Sequence, residues 1–163
     1  MNSAYLLIGG NIGNRLDNLN KAAQLIEASC GTVVRKSSVY ETAAWGKTDQ
    51  PAFYNQALAV RTNLLPRALL EQLLHIEKSM GRERKEAMGP RTIDIDILFY
   101  DDVDVDTTDL VIPHPRLHLR KFALVPMNEI APGHIHSGFH KTIQQLMLAC
   151  VDPLDVHKIS PAN

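Results

Sequence analysis

The chain has 163 residues, enough for a sizeable core, and its 45% apolar content is that of a globular protein, so residues 1–163 are expected to form a single domain. Its 17 basic and 18 acidic residues leave a formal net charge of -1, which excludes a general nucleic-acid footprint; any anion binding is local, around Arg82-Glu83-Arg84-Lys85. No apolar run reaches membrane-spanning length, the run at 4–8 is too short for a signal peptide, and Cys30 and Cys150 form no metal or redox spacing. A cytoplasmic protein with no membrane partner is expected.

Tyr5-Leu6-Leu7-Ile8 is a short apolar run ended by Gly9-Gly10 and reads as a buried strand. Asn14 suits a helix cap with Asp17 in the capping-box position, and Leu16, Leu19, Ala23 and Ile26 follow at helical spacing up to Gly31. Residues 32–40, rich in valine, read as one second strand, and 42–50, with Gly46, Lys47 and Asp49, as a loop. Residues 53–62 read as a third strand, with Phe53 and Asn55 on one face. Pro66 opens a helix where its missing N–H is harmless; Leu69, Leu73, Ile76 and Met80 form the apolar stripe and Gly81 ends it. Residues 82–91 are a polar loop.

The fourth strand, 92–100, carries the chemistry. Ile93, Ile95, Ile97 and Phe99 alternate with Thr92, Asp94, Asp96 and Leu98, so the two aspartates share one face while the isoleucines and Phe99 share the other. Two carboxylates at that spacing stand roughly 6–7 Å apart along a strand. Their repulsion wants a cation, and a hard divalent cation takes oxygen ligands and bridges to phosphate. Arg82, Arg84 and Arg91 lie just upstream, so the combination points to metal-assisted phosphate chemistry. A solvated acidic strand face is the plainer alternative, but aspartate is a poor strand former.

The order strand, helix, strand, strand, helix, strand is the split βαβ, ferredoxin-like arrangement. It is an α+β fold with an antiparallel sheet, two helices on one face and an open, aspartate-bearing face on the other. Beyond it, 103–105 and 110–112 read as a small hairpin and 113–116 as a turn. Residues 120–130 read as a helix interrupted by Pro126, and 142–150 as a C-terminal helix. Asp102 to Asp106 mimics the start of a calcium loop, but position six is Thr107 and position twelve Pro113, which rejects it. Gly9 to Asn14 lacks both phosphate-loop fingerprints and reads as a tight turn. His134, His136 and His140 have no cysteine or acidic partner nearby and read as an exposed turn rather than a zinc site.

The runs Gly81-Arg82-Glu83-Arg84-Lys85, Gly89-Pro90-Arg91-Thr92-Ile93-Asp94-Ile95-Asp96 and Pro113-His114 together resemble the 6-hydroxymethyl-7,8-dihydropterin pyrophosphokinase family. Tyr5 to Asn11, Tyr40-Glu41-Thr42, Asp49 to Asn55 and Ile76-Glu77 match in order and spacing. The resemblance implies transfer of pyrophosphate from ATP to the pterin hydroxymethyl group, releasing AMP, in folate synthesis. It implies two Mg2+ ions held by Asp94 and Asp96, and ATP contacts from Glu77, Arg82, Arg84, Arg91, Ile97, His114 and Arg120, with Arg82 and Arg91 also catalytic. Phe53 and Phe122 would sandwich the pterin and Asn55 would bind its polar edge, near Thr42, Ala43 and Trp45. The partners implied are small-molecule substrates, ATP and the hydroxymethyl dihydropterin, and a monomer is expected. Ala87-Met88, Leu74 and Pro115 depart from the family pattern. The loops at 42–50 and 82–91 are expected to close over bound substrates. Competing readings are a nucleotidyltransferase with a paired-aspartate strand, which would release pyrophosphate, and a non-catalytic binding module.

Overall fold

The structure is a computed structural model that describes residues 1–43, 50–81 and 92–159. Its centre is β1 (Asn2–Gly10), flanked antiparallel by β4 (Phe53–Thr62) and β5 (Asp94–Tyr100). Two short strands, β2 (Gly31–Lys36) and β3 (Val39–Thr42), both pair antiparallel with β4. The single second strand expected over 32–40 is therefore two. The break falls at Ser37, whose Oγ accepts the Ala57 amide at 2.9 Å while its own amide donates to the Ala57 carbonyl at 2.9 Å. A side-chain oxygen there replaces a backbone one, so the chain stays on β4 while leaving strand geometry. With β2 and β3 counted together the order is fourth, first, third, second strand, which is the ferredoxin-like order. β10 (Val156–Ile159), on which the sequence reading was silent, extends the sheet by pairing with β3.

Helices α1 (Arg15–Ser29) and α2 (Pro66–Ser79) cover one face of the sheet. Asn14 caps α1 by accepting the Asp17 amide at 3.1 Å, as the sequence implied. Leu19, Ile26, Leu69, Leu73 and Ile76 meet Leu6, Ile8, Leu58, Ile95 and Ile97 in the main core. Phe99 is not on that side. Tyr5 pairs with Phe99 and Leu6 with Ile97, so Leu98 is an extra residue on β5, a β-bulge. The bulge breaks the alternation, sends both Leu98 and Phe99 to the opposite face and returns Tyr100 to the main core.

That opposite face is only partly open. α3 (Lys121–Ile130) and α4 (Ile143–Ala149) cover its apolar part, packing Leu124, Met127, Ile143 and Leu146 on Leu7, Ala57, Leu98 and Phe99. The apolar residues at 7, 57 and 98–99 are the physical reason: a polar face would not recruit helices. Pro126 does not interrupt α3. It supplies a helical φ at the cost of one amide hydrogen bond, offset by burial of Ala123, Leu124, Met127 and Ile130 along the same helix. The expected hairpin forms from β6 (Val105–Asp106) and β7 (Val111–Ile112). Residues 133–140 are not an exposed turn throughout: β8 (Ile135–His136) pairs with β9 (Lys141–Thr142), and His136 is buried. Its Nδ1 accepts the Gly138 and Phe139 amides at 3.0 and 3.2 Å.

Candidate active site

The register of three strand pairs lays out the site. Tyr40 lies opposite Asn55, Asn55 opposite Gly9, and Gly9 opposite Asp94. Opposed residues share a face, so this row belongs to the face that α3 and α4 leave uncovered at one end. Strands stand about 4.8 Å apart, which puts the backbones of Asn55 and Asp94 about 10 Å apart. Asp96 lies one step inward, opposite Leu7. Thr42 and Phe53 lie one step outward, opposite each other. Both aspartates are half-buried, and both sit before the bulge that ends the alternation.

Gly9 is the gap in the row. A Cβ at that position would stand 2.1 Å from Asn55 Oδ1, so the Asn55 amide lies over the Gly9 backbone. The Thr42 hydroxyl is buried, and its Oγ1 has no hydrogen-bond partner among the described residues. A buried hydroxyl left unpaired costs about 1–3 kcal/mol. Such a hydroxyl can donate and accept one hydrogen bond with a polar group brought alongside it.

Phe122 enters as the second residue of α3, half-buried against the second core, with the Arg120 guanidinium carbon 5.5 Å from its ring centre. Arg120 precedes the helix as its N-cap residue. His114 follows Pro113, and its amide donates to the Leu98 carbonyl at 3.0 Å, which fixes it beside β5. Burial first, then the charges of Arg120 and Arg116, push the His114 pKa down to about 4, while Asp94 pulls the other way. His114 is therefore neutral at physiological pH. Its Nδ1 accepts the Arg116 amide at 3.2 Å, which puts the proton on Nε2, a donor.

Asp94, Asn55, Phe53, Thr42, His114, Arg120 and Phe122 thus gather at one end of one face. Ile97 is not with them: its side chain packs in the core under α1 and α2. Glu77, buried on α2, reaches β5 from the helix side, where its Oε2 accepts the Ile95 amide at 2.7 Å. Ala43 is exposed at the end of β3. Trp45, Arg82, Arg84, Arg91 and the Ala87-Met88 departure lie outside the described residues, as does most of each loop expected to close. Sequence reasoning missed Asn11 and Arg15. Asn11 is buried and donates to Gln50 Oε1 at 2.8 Å and to the Pro51 carbonyl at 2.9 Å. Arg15 donates to the Ala52 carbonyl at 2.8 Å and lies 3.9 Å over the Tyr54 ring. They fasten the segment that leads into Phe53, so the 9–14 stretch is more than a tight turn. The signal was an asparagine directly after a buried strand.

Among the described residues no group of three or more His, Cys, Asp or Glu is placed to hold a metal. Two neighbouring carboxylates are nonetheless a fitting donor set for Mg2+, which commonly takes one or two carboxylates and completes its shell with water and substrate phosphates.

A sequence model of the 7,8-dihydro-6-hydroxymethylpterin-pyrophosphokinase family matches residues 5–132. The chain belongs to this family. A 2-amino-4-hydroxy-6-hydroxymethyldihydropteridine pyrophosphokinase of Methylorubrum extorquens is 42% identical over 160 residues, covering 98% of this chain and 99% of that one. The protein of the same name from Synechocystis is 43% identical over 159 residues, 97% of this chain and 80% of its own. A solved structure of HPPK-DHPS in complex with substrates superposes with a TM-score of 0.73 at 19% identity, covering 91% of this chain and 43% of that chain. A Plasmodium falciparum HPPK-DHPS with pteroate gives 0.75 at 19% identity, over 90% of this chain and 42% of its own. These last two likenesses establish the fold; the family members share its α+β architecture. No helix among the described residues is long and apolar enough to cross a membrane.

Proposed function

We infer that the chain is an ATP-dependent pyrophosphokinase of folate synthesis, transferring pyrophosphate from ATP to 6-hydroxymethyl-7,8-dihydropterin and releasing AMP. Beside family membership, one observation supports the site: Asn55 and Asp94 occupy a single cross-strand row with only Gly9 between them. A group that reads a heteroaromatic edge and a group that serves phosphate then stand one small molecule apart. The pterin lies between the rings of Phe53 and Phe122, with Asn55 and the Thr42 hydroxyl at its polar edge. This directs its hydroxymethyl arm along the row toward Asp94. The neutral His114 donates its Nε2 proton to a phosphate oxygen, and Arg120 adds positive charge; Arg82, Arg84 and Arg91 are assigned to the same triphosphate.

The pterin hydroxyl oxygen attacks the β-phosphorus. An oxygen–phosphorus bond forms, the bond from the β-phosphorus to the bridging oxygen breaks, AMP leaves with that oxygen, and the hydroxyl proton passes to solvent. No covalent enzyme intermediate is required, so alignment and charge neutralisation carry the catalysis. Asp94 and Asp96 would hold two Mg2+ ions, whose chemistry is to neutralise the triphosphate and favour attack in line. The enzyme is assigned to the cytoplasm and to a monomeric state; Cys30 and Cys150 are both free thiols. Incubation with ATP, Mg2+ and the hydroxymethyl pterin tests the reading. AMP and pterin diphosphate in equal amounts support it; ADP or free pyrophosphate as the nucleotide-side product refutes it.

A further inference from the structure

The start of α3 sets both Phe122 and Arg120, yet the helix has no local cap: Arg120 stands at the N-cap position without a side-chain hydrogen bond to the helix amides. The first amides of a helix need partners, and those at a buried end need them most. The Ala123 and Leu124 amides turn back to the Arg120 carbonyl at 3.1 and 3.0 Å. The Lys121 amide is served from elsewhere. Asp152, thirty-one residues on and only 4% exposed, accepts it through Oδ2 at 3.2 Å. Its Oδ1 accepts the Leu154 amide at 3.0 Å, which locks the carboxylate's orientation. Four residues past Asp152 the chain enters β10, which pairs with β3 and places Val156 opposite Thr42. The 152–159 segment thus ties the helix bearing one proposed pterin ring to the strand bearing the proposed pterin-edge hydroxyl.

We propose that Asp152 is a positioning residue for pterin binding: its buried carboxylate is a remote cap that holds the first turn of α3, and so the Phe122 ring, at a fixed distance from β3. A buried carboxylate is costly unless hydrogen-bonded, and a negative charge at a helix N-terminus is favourable. Burial and both amide contacts agree that the group is placed for this use. The matched family region ends at residue 132, so Asp152 lies beyond it. The proposal rests on the assignment of Phe122 to the pterin.

Calorimetric titration with the hydroxymethyl pterin, in the presence of a non-hydrolysable ATP analogue, tests it on wild type, Asp152→Ala, Phe122→Ala and the double variant. Ile130→Val, a buried change at the far end of α3, serves as a stability control. Asp152→Ala should weaken pterin binding roughly fivefold, the size of a lost cap. The double variant should bind no more weakly than Phe122→Ala alone, because the effect passes through that ring. Asp152→Asn, which retains an acceptor, should recover part of the affinity. Ile130→Val should melt lower with pterin affinity intact. Wild-type pterin affinity in a folded Asp152→Ala, or full additivity in the double variant, overturns the proposal while leaving Phe122 in place. Wild-type affinity in Phe122→Ala overturns both the ring assignment and the proposal.

Discussion

Gly9→Ala tests the row that joins the two halves of the site. The new methyl carbon would stand 2.1 Å from Asn55 Oδ1, 3.0 Å from Asn55 Cγ and 3.0 Å from the Tyr54 carbonyl oxygen. Non-bonded heavy atoms settle near ~3.5 Å, so the first overlap exceeds an ångström. Sheet pairing holds the Tyr54 carbonyl, whereas the Asn55 amide turns about its side-chain bonds. The overlap is relieved by swinging that amide off the row. Overpacking should cost about 1–3 kcal/mol of stability. Loss of the Asn55 hydrogen bond to the pterin should cost about 1–1.5 kcal/mol, roughly tenfold in Kd. Thermal melts, with titration of pterin and of an ATP analogue separately, read both effects. The ATP analogue should bind within about twofold of wild type, since its groups lie across the gap. Asn55→Ala added to Gly9→Ala should restore part of the stability and lower pterin affinity no further. Wild-type pterin affinity in Gly9→Ala, or an Asn55→Ala effect undiminished in the Gly9→Ala background, would refute the reasoning.

Asp94→Asn and Asp96→Asn should each keep the fold while AMP release falls by several powers of ten, each about 1.4 kcal/mol of barrier; normal turnover at low Mg2+ in either variant would exclude that carboxylate. Phe53→Ala should weaken pterin binding by about 1 kcal/mol or more with ATP binding retained, and a folded variant with unchanged pterin affinity removes that ring from the site. Burial first, then the neighbouring His118, lowers the His136 pKa, with Asp104 opposing. The unfolded chain therefore takes up this proton at a higher pH than the folded one, so stability present at neutral pH is lost as pH falls below the ordinary histidine range of about 6.5. His136→Asn keeps an acceptor for the Gly138 and Phe139 amides without titrating, and should flatten part of the acid limb of a melting curve against pH; an unaltered limb would assign that loss to other groups.

The parts of the fold set by local chemistry were legible. Asn14 caps α1, Pro66 begins α2, and the Asp94/Asp96 alternation placed both carboxylates on one face. What escaped depended on partners distant in sequence. The Leu98 bulge is defined by its pairing with β1, and nothing in the local pattern distinguishes it from a further alternating step. Ser37 ends β2 through a bond to Ala57. β10 exists because β3 offers it an edge, and its own composition is unremarkable for a strand. At the site, residue types pointed to metal chemistry and the family resemblance to the ring pair and to Thr42, while the unpartnered Thr42 hydroxyl, the overlap at Gly9 and the Asn11 clamp emerged only when strands were set side by side. Pro126 shows the same principle in reverse: a local breaker was overruled by tertiary burial.

β5 is the last strand on its side of the sheet, and such a strand ordinarily offers amides and carbonyls that another molecule can extend. Here the Glu77 carboxylate takes the Ile95 amide and the His114 amide takes the Leu98 carbonyl. Neither partner is a strand, so neither offers an edge of its own in exchange. Like charge from Asp94 and Asp96 runs along the same stretch, which discourages an approaching copy further. The strand proposed to carry the chemistry keeps one face toward the site, and two of its rim groups are already engaged by partners that cannot extend the sheet. Both rim bonds come from segments that dock from elsewhere in the fold, α2 and residues 113–114, so this edge of the sheet is covered only once those segments are in place.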